Sequence, residues 1–293
     1  LRILVTGAGG LVGRALTEHC LAHGDDVTAL DHRALDISDA QSVQRVIGDT
    51  RPDVVINCAA WTDVDACESD PDRAERANAR GPELLALSCR EFDSLLITIS
   101  TDYVFAGTKQ GFYTQDDEPN PISVYGRSKL AGEQRAQAAS PRTIVVRSGY
   151  IFGAGGKNFL CTFLDRARRG EKLKAISDMT GTPTYARDLA AQLRRLAELE
   201  VPGIYHVVNS GEGASFETFV RAGLRLASLD ETMVQSVSLT ELNRPAPRPR
   251  NSRLRCLRSE GIGLAPLPDW RDALGDFISR QATEQTAAAS PPS

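Results

Sequence analysis

The turn between the first strand and the first helix constrains this chain more than any other stretch. Ile3-Leu4-Val5 reads as a buried strand, Leu11 to Cys20 has helical spacing, and Gly7-x-x-Gly10-x-x-Gly13 fills the connection. Such a turn exposes backbone amides and the positive end of the helix dipole, and its glycines let a pyrophosphate approach the backbone closely. Gly7 and Gly10 are therefore candidate cofactor contacts. A second strand, Asp26-Val27-Thr28-Ala29-Leu30, ends at Asp31, 24 positions after Gly7, where a carboxylate can accept hydrogen bonds from an adenosine ribose. Asp31 favours NAD. Arg33, two residues on, can instead pair with a 2'-phosphate, so NADH and NADPH both stay open.

The pattern then repeats. A helix is expected over about 40–48, a strand at 54–56, a helix around 72–90, a strand at 95–99, a helix over about 123–138 and a strand at 143–146. Strands alternating with helices predict an α/β fold, a doubly wound parallel Rossmann sheet. Beyond Arg147 the alternation loosens into helical stretches near 159–169, 186–199 and 216–226, with one short strand near 203–208. The division expected is a dinucleotide-binding domain over 1–147, a smaller C-terminal α/β substrate lobe over 148–280, and a disordered Ala/Ser/Thr/Pro-rich tail over 281–293.

Composition narrows the function classes. With 34 basic and 38 acidic residues the net charge is -4, which offers no general attraction for nucleic acid or an anionic membrane, so an anionic ligand must be held by local groups. No apolar run is long enough to span a membrane, and the chain opens directly into the glycine turn, so a cytoplasmic location is expected. Cys20, Cys58, Cys67, Cys89, Cys161 and Cys256 are scattered without metal-ligand spacing and read as reduced thiols; no metal is assigned.

Tyr125-Gly126-Arg127-Ser128-Lys129 lies on the helix expected from Ser123. The i to i+4 spacing puts phenol and ammonium on one face, where the cation is expected to lower the phenol's pKa and make it a proton donor. Ser100-Thr101-Asp102-Tyr103 follows the strand ending at Ile99, at the sheet edge where open α/β folds bind ligands, and a hydroxyl there can polarise a carbonyl beside the phenol.

Together TGAGGLVG, RPDVVINCAAWTDVD, STDYVFAG, YGRSK and GTPT resemble the extended short-chain dehydrogenase/reductase superfamily and, within it, the dTDP-4-dehydrorhamnose reductase family, over about residues 1–254. The resemblance implies NAD(P)H-dependent reduction of the 4-keto group of a dTDP-linked 6-deoxyhexose in deoxysugar biosynthesis. It implies Tyr125 as proton donor, Lys129 on the nicotinamide ribose and Thr101 on the substrate carbonyl. It further implies Gly10, Leu11 and Val12 at the pyrophosphate, Asp36 and Ile37 at the adenine, and Ala59, Ala60 and Trp61 beside the second ribose. Tyr103 stands where the related 4,6-dehydratases carry a Glu, which argues against dehydration, and leaves Asp102 as a substrate contact or a loop cap. Asn158, Tyr150, Arg248 and Arg250 fall in blocks that resemble the nucleotide-sugar pocket, with Arg248 or Arg250 able to hold the diphosphate by a bidentate contact.

Two departures bear on the sugar. Gly149-Tyr150 stands where the family usually has Ser-Trp, and Met179 where it usually has Gln. A related antibiotic-sugar reductase, such as a dihydrostreptose synthase, is therefore an alternative. So is a non-catalytic NADP-binding subunit, since the regulatory subunit of methionine adenosyltransferase resembles the same family. A homodimer is compatible with the sequence.

Overall fold

Apolar residues at both parities of the early strands require a sheet covered on both faces. The structure, a computed structural model, describes residues 1–155 and 159–289, with side chains to residue 283. Six strands form its main sheet: β1 (Arg2–Thr6), β2 (Asp26–Leu30), β3 (Val54–Asn57), β4 (Leu95–Thr101), β5 (Thr143–Ser148) and β6 (Gly203–His206), in the order 6-5-4-3-1-2. Every pairing is parallel. Ile3, Val5, Val54, Ile56, Leu95 and Ile97 point into the core beneath helices Leu11–Ala22 and Ala186–Leu199. Their neighbours Leu4, Val55 and Leu96 point into the opposite core, beneath Ala40–Thr50, Gly81–Glu91 and Val124–Ala139. The doubly wound Rossmann sheet expected from the alternation is the observed architecture.

Three local expectations differ. The helix expected around 72–90 is broken: Pro71–Glu75 passes through a wide π turn, Arg76–Arg80, into Gly81–Glu91. Such a bulge sits in a helix at the expense of regular hydrogen bonding and is often found beside functional sites. Second, the cut at 147 divides the main sheet, because helix Ala186–Leu199 packs on it and β6 pairs with β5, His206 opposite Arg147. The chain leaves the sheet after β5, builds part of the lobe and returns by a parallel crossover. Third, the tail expected to be disordered from 281 continues the helix Trp270–Ala289, consistent with the helix propensity of its alanines and glutamines; residues 290–293 lie outside the described residues.

The smaller lobe has its own core, with Phe152, Phe219, Trp270 and Phe277 fully buried between helices Phe159–Arg168, Phe216–Leu226 and Trp270–Ala289. Among the described residues no helix is long and apolar enough to cross a membrane.

Candidate active site

The site lies at the carboxyl edge of the sheet. A Cβ at Gly7 would stand 2.6 Å from the Ala59 amide nitrogen, and the residue has φ +66°, so only glycine lets β1 turn against the loop after β3. The helix Leu11–Ala22 starts at Gly10, and its first-turn amides have no partner inside the helix. A cleft of about 670 Å³ runs from Gly7 and Gly10 past Asp31, Arg33, Asp36 and Ile37 to Ala59, Ala60 and Trp61. A second cavity of about 620 Å³ shares Gly10 and Ala60 with it and is lined by Leu11, Val12, Thr101, Asp102, Tyr103, Tyr125, Lys129 and Tyr150. The two form one groove, with a glycine-floored middle, a carboxylate and a guanidinium at one end, and hydroxyls with an ammonium at the other. That donor set and the cradle that a Cβ at Gly7 would fill fit a dinucleotide.

At the outer end the Asp31 carboxylate accepts from the Arg33 and Ala34 amides at 2.9 and 3.0 Å, which fixes the loop. Asp36 is held by Ser38, whose amide and hydroxyl donate at 2.9 and 2.8 Å and keep its pKa below the usual carboxylate range. Trp61 is fixed by a residue that the sequence reading did not select. Buried Asn78, in the π turn, accepts from the Trp61 amide at 2.8 Å and donates to the Trp61 carbonyl at 3.0 Å and to the Ser128 hydroxyl at 3.1 Å. It thereby ties the loop after β3 to the helix carrying Tyr125. A lone amide in an alanine-rich helical stretch was the only signal available. Arg73, also unselected, stacks over the Trp61 ring at 4.4 Å.

Ser123 caps the helix Val124–Ala139 by accepting from the Gly126 amide at 3.1 Å, a contact typically worth about 1 kcal/mol. Tyr125, Lys129, Gly132, Glu133 and Ala136 share its buried face. Gly132 lets this helix meet the π turn, because any Cβ there would collide with the Asn78 carbonyl. Thr101 ends β4 opposite Ser148 of β5, and its hydroxyl lies beside the Tyr125 phenol. Tyr103 meets Tyr125 edge-on at 6.0 Å.

The electrostatics of the pair differ from the sequence expectation. Burial pushes the Tyr125 phenol above its ordinary value, opposed by the Thr101 hydrogen bond. The Lys129 ammonium donates to the Ile99 carbonyl at 2.7 Å instead of acting on the phenol. Burial also brings Lys129 down to about 8, with Glu133 opposing. Desolvation outweighs the i to i+4 attraction because both groups lie under the sheet edge.

Two expected substrate residues also differ. The fork of Arg248 is spent on Asp65, with two contacts of 2.9 Å, so it is not free for a diphosphate. Arg250 is exposed and stands 3.5 Å from Asp178; neither arginine lines the cavity around Tyr125. Asn158 lies outside the described residues. Tyr150 does line the cavity, at φ +53°, against Phe159 and Phe216. Met179 is buried and is not part of the lining.

Residues 1–283 match the RmlD substrate binding domain family. The chain is 42% identical over 281 residues to a dTDP-4-dehydrorhamnose reductase of Mycolicibacterium smegmatis, covering 95% of this chain and 85% of that protein. It belongs to the dTDP-4-dehydrorhamnose reductase family. Another relative, a probable dTDP-4,6-dihydroxy-2-methyloxan-3-one 4-ketoreductase of Streptomyces antibioticus, is 38% identical over 276 residues, 94% of this chain and 93% of that protein. The fold superposes on a dTDP-4-dehydrorhamnose reductase from Bacillus anthracis, solved in complex with NADP, with a TM-score of 0.92 and 33% identity over 95% of this chain and 99% of that one. The Rossmann architecture is thus that of a reductase family.

Proposed function

We propose that this chain reduces the 4-keto group of a dTDP-linked 4-dehydro-6-deoxyhexose with NADPH or NADH. The observation that carries the reading is the convergence of Thr101, Tyr125 and Lys129 on one cavity that continues into the glycine-floored cleft. Gly7, Gly10 and the first-turn amides of Leu11 and Val12 would hold the cofactor's pyrophosphate. Asp31, Arg33, Asp36 and Ile37 would hold its adenosine, and Ala59, Ala60, Trp61, Tyr125 and Lys129 its other half. When bound, the reduced nicotinamide supplies the hydride.

The chain's own task is to orient the carbonyl and move a proton. Thr101 donates a hydrogen bond to the carbonyl oxygen, and Tyr125 gives its phenolic proton to that oxygen as it gains negative charge. Lys129, whose ammonium donates to the Ile99 carbonyl, would hold the cofactor's ribose beside the reacting carbonyl. Asp102, Tyr103 and Tyr150 form the sugar's walls. With Arg248 engaged by Asp65, Arg250, exposed and 3.5 Å from Asp178, would have to leave that carboxylate to reach the diphosphate.

The relatives are named after different keto sugars, so the test is a panel. Consumption of NADPH with several dTDP-4-keto-6-deoxyhexoses, and NMR of the product, should reveal one preferred sugar and a new C4 hydroxyl. Tyr125→Phe should lower kcat by roughly 10²- to 10⁴-fold while cofactor affinity holds. Cofactor binding with no turnover of any sugar would instead make the chain a non-catalytic binding subunit.

A further inference from the structure

We propose that Asp102 serves the reaction in its neutral carboxylic-acid form, as a positioning residue that turns the Thr101 hydroxyl toward the substrate oxygen. This rests on the reading of the site as a carbonyl-reducing centre, and it follows from counting donors.

The Thr101 hydroxyl has one proton and two lone pairs. It donates that proton to Asp102 Oδ1 at 3.0 Å and accepts from the Tyr103 amide at 3.2 Å. With its proton committed, it has none to offer the substrate oxygen. The Thr101 proton that should reach the carbonyl is therefore turned away from it, toward an ionised Asp102. Protonating Asp102 reverses the chain. A carboxylic acid donates to Thr101 Oγ1, which then has both lone pairs filled by Asp102 and the Tyr103 amide. Its own proton is released toward the cavity. No proton leaves Asp102 in turnover; its protonation only sets the direction of the bond to Thr101.

The surroundings favour the neutral form. Asp102 is 3% exposed, and among the described residues it makes no ion pair. The groups facing it are the hydroxyls of Thr101 and Ser252 and the phenols of Tyr103, Tyr125 and Tyr150. Arg248, the guanidinium acting on Tyr103, is engaged by Asp65. Burial pushes the carboxyl up to about 6, against the Ser252 and Thr101 hydrogen bonds. Gly149 completes the fit: a Cβ there would stand 2.5 and 2.6 Å from the two carboxylate oxygens, so the Ser-to-Gly departure makes room for the carboxyl where it lies.

The test is the pH profile of kcat/KM for the wild type, Asp102→Asn and Asp102→Ala, with carboxyl titration of the unliganded protein followed by infrared difference spectroscopy. The wild type should lose activity toward about tenfold per pH unit above a limb near 6. Asp102→Asn, whose amide does not titrate, should lose that limb. Asp102→Ala should be slow at every pH, and a protonated-carboxyl band present in the wild type at pH 5 should be missing from Asp102→Asn. A limb near 6 that survives in Asp102→Asn, or an Asp102 still ionised at pH 5, overturns the inference while leaving the proposed reaction standing. A wild type that turns over no keto sugar at any pH overturns both.

Discussion

Glu133 and Arg147 meet at 2.6 Å on the buried side of the helix Val124–Ala139, with side chains only 2% and 3% exposed. Two further contacts of 3.0 and 3.1 Å complete the pair, and the guanidinium lies over the Phe105 ring at 5.2 Å. A desolvated pair adds little net stability, but removing one partner strands the other. Glu133→Ala should therefore destabilise the fold by about 3–5 kcal/mol in urea unfolding, and Glu133→Leu with Arg147→Met by clearly less. Equal losses for the single and double variants would assign the effect to packing.

The same carboxylate supports Lys129, which it holds up against burial. If the cation is required, kcat/KM should fall as pH rises through about 8, and Glu133→Gln should move that limb downward.

Lys129 also ties function to stability, with a definite sign. Its folded pKa of about 8 lies below the ordinary lysine value of 10.5. Between those two values the unfolded chain holds the proton that the folded chain has lost, so this group makes stability rise with pH across that window. Below pH 8 the buried cation costs stability. Lys129→Met should therefore be inactive yet more stable than wild type at pH 7, by on the order of 1–3 kcal/mol, and the advantage should shrink above pH 8. Parallel stability curves from pH 7 to 10 would count against a buried, titrating ammonium.

Tyr150 carries a buried hydroxyl with no partner among the described residues. An unmade hydrogen bond gains the free protein nothing, so Tyr150→Phe should leave the unfolding midpoint within about 0.5 kcal/mol of wild type. A rise of about tenfold in KM for the preferred sugar would mean that the sugar takes this hydroxyl. An unchanged KM would remove Tyr150 from recognition.

Arg33 and Asp31 share one end of the cleft. Arg33→Ala should weaken NADPH by about tenfold, the loss of one charged contact, and leave NADH almost unchanged. Equal losses for both cofactors would show that Arg33 does not read the 2'-phosphate.

The sequence by itself determined what is local or periodic. The glycine turn, the strands apolar at both parities and the four-residue step from Tyr125 to Lys129 each follow from backbone geometry over a few residues, and they specify the wound sheet and the candidate reacting groups. What only the tertiary structure decided are relationships between distant segments. Asp65 claims Arg248 across 183 positions, Asn78 joins Trp61 to Ser128, and β6 returns to the sheet after the chain has begun the second lobe. The direction of the pKa shifts belongs here too. Sequence spacing shows which charges can be neighbours, whereas desolvation depends on everything packed around them, and burial raised the Tyr125 phenol that spacing alone predicted would fall.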